Sequence, residues 1–213
     1  MKPALIVTAA LISTSAVGAA LDPIERAIQH YVKVESYSVI IRSMNKDKEE
    51  QLRYYFKKPG FVRMEFIHPH GGAVLVYSPL TQRVRLWPFG ERRFPELNLN
   101  PSNPLILSSS GQRVDHSDIG ALLENARILG GRGKIEVIDI SEEMNTLTSH
   151  IAVTGFENNT VDHVHRFDLW FDVSNQFPTR VISRDLNGDI LETVNMDAVE
   201  LNPPLPESLF QPE

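Results

Sequence analysis

The sequence predicts a mainly β protein of the α+β class, in which one large antiparallel sheet is covered by two helices. About ten segments alternate apolar and polar residues with a period of two, and turns rich in glycine, proline and asparagine separate them. Two other stretches repeat apolar residues with helical spacing. Strands that are apolar on one face form a sheet with one solvated side, and a large sheet of this kind curls around whatever covers its apolar side.

The first predicted element is a helix in the stretch DPIERAIQHYVKVESY. Asp22 is a good capping residue, and Pro23 suits the first turn because the amide hydrogen it lacks would be unpaired there. One face of this helix is apolar and consists of Ile24, Ala27, Ile28 and Tyr31. We expect this face to pack on the sheet.

Strands follow from Ser36 onward, and the clearest pair lies on either side of a Pro-Gly turn at 59–60. Apolar side chains alternate with polar ones in both strands, and they are Leu52, Tyr54 and Phe56, then Val62, Met64 and Phe66. GGAVLVYSP and QRVRLWPFG predict two further strands. The segment therefore forms an antiparallel meander with one apolar face.

A long segment from Gly90 to about Arg113 interrupts the meander. It is rich in asparagine and proline and has no sustained period, and a loop of this length is more often functional than idle. HSDIGALLENARILGG then predicts a second helix, with Ser117 as its cap and Gly130 at its end. Its apolar face consists of Ile119, Leu122, Leu123, Ala126 and Leu129.

The alternation resumes in the last third of the chain. In VHRFDLWFDV, one side carries Phe167, Leu169 and Phe171. Asp168 and Asp172 point to the other side, where we interpret them as ordinary solvated carboxylates. Two closing strands, roughly 178–185 and 190–200, flank an Asn-Gly turn at 187–188, and a proline-rich tail follows.

The N-terminal segment MKPALIVTAALISTSAVGAA has the layout of a secretory signal peptide. One lysine precedes an apolar run from about Ala4 to Ile12, and small residues follow. We expect residues 1–20 to be cleaved near Ala20, which leaves a single domain at 21–213 in the periplasm. A helix retained as a membrane anchor is the alternative, although the apolar run is short for a membrane span.

The composition narrows the function classes. The formal net charge of −6 argues against binding of nucleic acid and of anionic lipid surfaces. The chain has no cysteine, so disulfide bonds, thiol catalysis and thiolate metal ligands are excluded. No G-x-S-x-G motif is present. We therefore expect neither an enzyme nor a cofactor.

The histidines raise a metal hypothesis, because HPH at 68–70 and HVH at 163–165 place pairs of ligands two residues apart. Neither pair is followed by a carboxylate or a cysteine at ligand spacing, and the first flanks a proline in a predicted turn. We interpret these histidines as solvated residues of loops and strand ends, and we predict no metal site.

Two stretches resemble a known family. YYFKKPGFVRMEF at 54–66 resembles the strand–turn–strand signature of periplasmic lipoprotein carriers of the LolA type, in which an aromatic strand leads into two basic residues, a proline turn and a second aromatic strand. FDVSNQFPTRVISRDLNGDILETVNMDAVELNPPLPESLF at 171–210 is similar to the closing hairpin and tail of the same superfamily. The segment 97–129 is more similar to an uncharacterised exported branch of it.

The resemblance implies an incomplete antiparallel β-barrel of about eleven strands, with helices covering a concave apolar face that takes acyl chains. It also implies that Leu209 and Phe210 fold back onto the sheet. The hollow would be lined by Leu52, Tyr54, Phe56, Val62, Met64, Phe66, Phe167, Leu169 and Phe171. Lys58 falls at the rim, on the basic residue implicated in lid opening and cargo release, where carriers usually have arginine.

The resulting hypothesis is a monomeric periplasmic carrier that binds a lipid or the acyl chains of a lipoprotein and serves outer-membrane biogenesis. Envelope proteins of the inner or outer membrane would be further partners. The alternative is an envelope interaction or sensor module that uses the same fold without lipid transport and presents its open edge and the 90–113 loop to a protein. Apolar stripes occur in packed cores as well as in hollows, so periodicity does not separate the two.

Overall fold

The protein is built on one large antiparallel sheet with two helices packed on it. The computed structural model describes residues 22–46, 48–108, 111–143 and 146–211, and the predicted signal peptide lies outside them. The helices are α1 (Pro23–Tyr31) and α2 (Ile119–Gly131). The strands are β1 (Ser36–Asn45), β2 (Lys48–Lys57), β3 (Phe61–His68), β4 (Val74–Ser78), β5 (Arg83–Trp87), β6 (Leu97–Leu99), β7 (Gly133–Glu143), β8 (Thr146–Gly155), β9 (Arg166–Asp172), β10 (Pro178–Arg184) and β11 (Ile190–Leu201).

The sheet consists of two meanders that meet in its middle. The strand order is β6-β5-β4-β3-β2-β1-β11-β10-β9-β8-β7, so β1 and β11 join the meanders, with Ile41 opposite Met196. β6 and β7 lie at opposite ends, which leaves the sheet unclosed. The predicted mainly β fold with an incomplete barrel of about eleven strands is confirmed.

The sequence predicted a long loop at 90–113, but this segment is only partly a loop. It contains the short strand β6, which pairs with β5, and a single helical turn at Pro104–Ile106. Three residues are too few for a period of two to be recognised in a sequence. The Asn-Gly turn between β10 and β11 is as predicted, with Gly188 at a φ of +85° that glycine adopts without strain.

The helices begin at aspartates. The Asp22 carboxylate accepts a hydrogen bond from the Ile24 amide at 2.7 Å, as predicted for α1. In α2 the cap is Asp118, whose Oδ1 accepts from the Gly120 amide at 2.7 Å, and not the predicted Ser117. The predicted cap is therefore wrong by one residue, because serine and aspartate both cap helices well and the two are adjacent here.

The apolar residues form two clusters on opposite faces of the sheet. The larger cluster lies between the concave face and both helices, and Ile24, Leu123 and Leu129 contribute to it from the helices. The smaller cluster lies on the outer face, where Phe210 packs with Trp87. The predicted return of the tail onto the sheet is therefore observed. Among the described residues, no helix combines the length and hydrophobicity needed to cross a bilayer.

Candidate functional site

The nine residues predicted to line a hollow all belong to the cluster between the sheet and the helices. Seven of them are at most 5% exposed, whereas Met64 and Phe66 are half-buried. The rings around them are in close contact, since Phe56 and Tyr37 stack with centroids 5.1 Å apart. The structure thus brings the nine residues together in a closed and filled arrangement. Their role as a ligand-binding lining stays a prediction.

Buried tyrosines attach both helices to the sheet at one end. The Tyr31 hydroxyl at the end of α1 donates to Oδ1 of Asp118 at 3.1 Å, which links the two helices. Tyr37 on β1 accepts a hydrogen bond from the Ile119 amide at 3.2 Å. This contact satisfies one of the amides that the first turn of a helix leaves without an internal partner.

Tyr54 on β2 completes this group, which we call the tyrosine cluster (Tyr31, Tyr37 and Tyr54). Its hydroxyl lies 3.1 Å from the Ser117 hydroxyl, just before α2. Burial raises the pKa of all three tyrosines well above the ordinary value, so each is a neutral hydrogen-bonding group at physiological pH. The cluster fixes the start of α2 above the middle of the sheet.

The helices cover only part of the concave face. α1 packs mainly on α2, and α2 packs on β7 and β8. On β3, β5 and β6 four apolar side chains of this face are instead half-buried, and we call this region the apolar margin (Met64, Phe66, Leu86 and Leu99). The apolar margin is continuous with the buried cluster and is the part of this face that a ligand could reach first.

Lys58 connects the β2–β3 turn to the end of α1. Its Nζ donates to the carbonyl of Val32, the C-cap residue of α1, at 2.6 Å, and lies 3.2 Å from Oε1 of Glu35. A cation at a helix C-terminus pairs with carbonyls that have no partner within the helix. Lys58 therefore contacts the end of the helical cover, which is consistent with the predicted rim position. Its ammonium group acts as a point charge, whereas the arginine usual in carriers would offer a planar guanidinium with paired donors.

The sequence interpretation of Asp168 is wrong. This carboxylate is 4% exposed on the outer face and accepts five hydrogen bonds, from Arg166, Arg184 and His150. Burial alone would raise its pKa, but the hydrogen bonds from Arg166 and His150 outweigh burial and lower it. The alternation places Asp168 on the correct face, but it does not show that long side chains from both neighbouring strands cover it.

The histidine pairs do not converge with other ligands. His68 and His70 are exposed at the end of β3, and Nδ1 of His165 lies 2.9 Å from the Asn159 carbonyl oxygen in a loop. Across the described residues there is no group of three or more histidine, aspartate or glutamate side chains that could hold a metal ion.

Comparisons with solved structures identify the class of fold. An uncharacterised conserved protein from Thermus thermophilus is similar over 90% of this chain and 91% of its own, with 10% identity and a TM-score of 0.55. The lipoprotein LppX from Mycobacterium tuberculosis is similar over 86% of this chain and 95% of its own, with 12% identity and a TM-score of 0.53. The MucA/MucB complex from Pseudomonas aeruginosa matches over 88% of this chain but 59% of that one, with 13% identity and a TM-score of 0.53.

These similarities show that the chain is structurally similar to proteins of the LolA superfamily, as the two sequence stretches predicted. At identities this low, the similarity establishes the fold alone. No protein-family model matches the sequence, and no curated protein matches it either.

Proposed function

We propose that this chain is an exported binding protein that holds the acyl chains of a lipid or lipoprotein between its sheet and its helices. The observation that carries the proposal is the apolar margin, where the apolar concave face extends beyond the helices that cover it. The LolA-like fold supports a binding role over a catalytic one. A periplasmic location, with residues 1–20 removed, belongs to the same proposal.

Binding requires the cover to move, because the predicted lining is packed in this structure. Each methylene that leaves water contributes roughly 0.8 kcal/mol, so a long acyl chain supplies enough free energy to displace apolar contacts of the cover. The tyrosine cluster and Lys58 tie the helices down at one end of the strands. We propose that the chain enters from the apolar margin, which lies away from the strands on which α2 packs, and separates the helices from β2 and β3.

The proposal predicts a bound lipid that depends on Met64. The mature protein, purified from its own host without detergent, is expected to carry a lipid or acylated species at defined stoichiometry in native mass spectrometry. Met64→Asp is expected to reduce the bound fraction roughly tenfold or more, because an acyl chain would then be placed against a carboxylate. Phe56 is unsuitable for this test, since its burial at 5% exposure means that a charge there would unfold the protein.

The matched control is Ile40→Asp. Ile40 is also half-buried, but it lies on the outer face of β1, opposite Arg53. Both variants are checked for folding by circular dichroism. A wild-type protein that is free of ligand and takes up no fluorescent fatty acid would contradict the proposal, as would equal loss of ligand in both variants.

The second prediction concerns Lys58 as a residue that holds the cover closed. Lys58→Met removes the contacts with Val32 and Glu35 and is expected to speed the uptake of a fluorescent fatty acid several-fold. The loss of stability should stay below about 1 kcal/mol, because the ion pair is exposed to solvent. Stopped-flow fluorescence measures the rate, and denaturant titration measures the stability.

Lys57→Met is the control for this experiment. Lys57 also donates to a backbone carbonyl, that of Leu205 at 3.1 Å, but this carbonyl belongs to the tail on the outer face. Uptake that is unchanged in Lys58→Met, or equally fast in both variants, would show that Lys58 does not restrain the cover.

A second candidate function is supported by the open edge of the sheet. β7 is an edge strand with three exposed apolar side chains, Val137, Ile138 and Ile140. An exposed apolar edge can pair with an extended segment of another protein. A saturable protein partner that binds without lipid and is lost in Ile140→Lys would favour an envelope interaction module over a carrier.

A further inference from the structure

A basic and aromatic cluster occupies the outer face of β8, β9 and β10, away from the proposed acyl-chain site. His150, Trp170 and Arg180 are neighbours across these three strands. The indole of Trp170 stacks on the His150 ring with centroids 4.0 Å apart, and the guanidinium carbon of Arg180 lies 4.9 Å from the indole centroid. Trp170 therefore holds the Arg180 cation against the sheet.

Arg180 has no anionic partner in the part of the chain that the structure describes. Its side chain forms no hydrogen bond or ion pair there, and its Nε is buried without an acceptor. Thr154 Oγ1, next to Arg166 on the neighbouring strand, is also buried without a partner. Both atoms are covered by the protein itself, whereas Arg180 as a whole is half-buried, so a ligand would meet its terminal guanidinium nitrogens and not Nε.

A surface depression of about 450 Å³ lies beside Trp170, the residue on which Arg180 stacks. It is lined by His150, Arg166, Asp168, Trp170, Ile182 and Arg184. Asp168 already accepts five hydrogen bonds, so it leaves Arg180 uncompensated. Arg166 and Arg184 thus pair with the one carboxylate, Glu136 on β7 is a further acidic group that acts on Arg166, and Arg180 stacks on Trp170 without an acid of its own among the described residues.

We propose that this cluster binds a phosphate-type oxyanion beside Trp170, through Arg180 and Arg184. Guanidinium groups form paired, charge-assisted hydrogen bonds with phosphate oxygens, and the terminal nitrogens of Arg180, which have no partner among the described residues, are the groups that would form them. The oxyanion belongs to either a phospholipid headgroup or a small phosphorylated molecule. The net charge of −6 argued against nucleic acid and anionic lipid surfaces, but that value averages over the whole surface and does not describe this face.

Calorimetric titration with inorganic phosphate at low ionic strength tests the site. The wild-type protein is expected to bind phosphate saturably, and Arg180→Gln to weaken binding roughly tenfold or more. Arg180→Lys, which keeps the charge but not the fork, should fall between them. The control is Arg42→Gln, since Arg42 is on the same face but is already paired with Asp197 at 2.6 Å.

Vesicles identify the source of the oxyanion. If the wild-type protein co-sediments with phosphatidylglycerol vesicles but not with phosphatidylcholine vesicles, and Arg180→Gln abolishes this co-sedimentation, the site binds an anionic headgroup. Phosphate binding without co-sedimentation assigns it to a small phosphorylated molecule. The proposal is overturned if the wild-type protein binds no phosphate, or if Arg180→Gln and Arg42→Gln bind it equally well.

Discussion

Phe210→Ala is expected to lower the free energy of unfolding by about 3–4 kcal/mol, although the residue lies in a tail that follows the last strand. Phe210 is 3% exposed and packs on the outer face with Phe61, at a centroid distance of 5.8 Å, and with Trp87. Removing the ring leaves a cavity over Trp87 and weakens the attachment of the whole tail. Denaturant titration followed by tryptophan fluorescence measures the change.

The tail also covers a buried cation, which adds to the expected effect. Arg63 is 6% exposed and donates to the Leu209 carbonyl at 3.1 Å, while Glu91 and Glu65 pair with its other nitrogens. Burial disfavours its charge, but these hydrogen bonds outweigh burial and raise its pKa. If the tail detaches, Arg63 loses the Leu209 acceptor together with the shelter of the tail.

Phe94→Ala provides the matched control for the tail. Phe94 is 93% exposed, so the same substitution there should change the stability by less than about 0.5 kcal/mol. A loss below about 1 kcal/mol in Phe210→Ala would show that the tail is not part of the cooperative fold.

The strands were predictable because their signal is local. Alternation at Leu52, Tyr54 and Phe56 identifies the buried face of β2 without knowledge of its neighbours. The covering of the opposite face was not predictable in the same way. Arg63 alternates with buried apolar residues and looked solvated, yet the tail that buries it is more than 140 residues away in sequence. Contacts of this kind depend on topology, which periodicity does not encode.

For the candidate site, the sequence likewise predicted which residues share a face but not how that face is covered. The sequence placed Phe167, Leu169 and Phe171 on the concave face, and they are there. It did not show that the face is closed, because packing density depends on how the helices sit over the strands. The outer cluster was missed for a different reason. Trp170 and Arg180 meet through the pairing of β9 with β10, and no spacing within one strand predicts a pair across two.

Asp168→Asn is expected to lower the free energy of unfolding by about 2–3 kcal/mol at neutral pH, because Arg166 and Arg184 lose the ionised acceptor that both of them bind. Asp197→Asn is the control. Asp197 pairs with Arg42 in the same way, but both side chains are more than a third exposed, so its loss should cost less than about 1 kcal/mol. Equal effects in the two variants would mean that burial of Asp168 adds nothing to the strength of its ion pairs.

The pH dependence of the stability distinguishes the contribution of the Asp168 charge from that of its side-chain shape. Its pKa in the folded protein lies below the ordinary value of 3.8, so the unfolded chain takes up a proton first as the pH falls. The stabilisation by the carboxylate is therefore complete above the pKa of the unfolded state, about 4, and disappears as the pH falls through the lower folded value. The stability difference between wild type and Asp168→Asn should accordingly be constant from pH 7 to about 5 and should shrink below about 4. A stability difference that stays constant down to pH 3 would contradict this explanation. It would show that the substitution destabilises the protein by altering the hydrogen-bonding geometry and not by removing the negative charge.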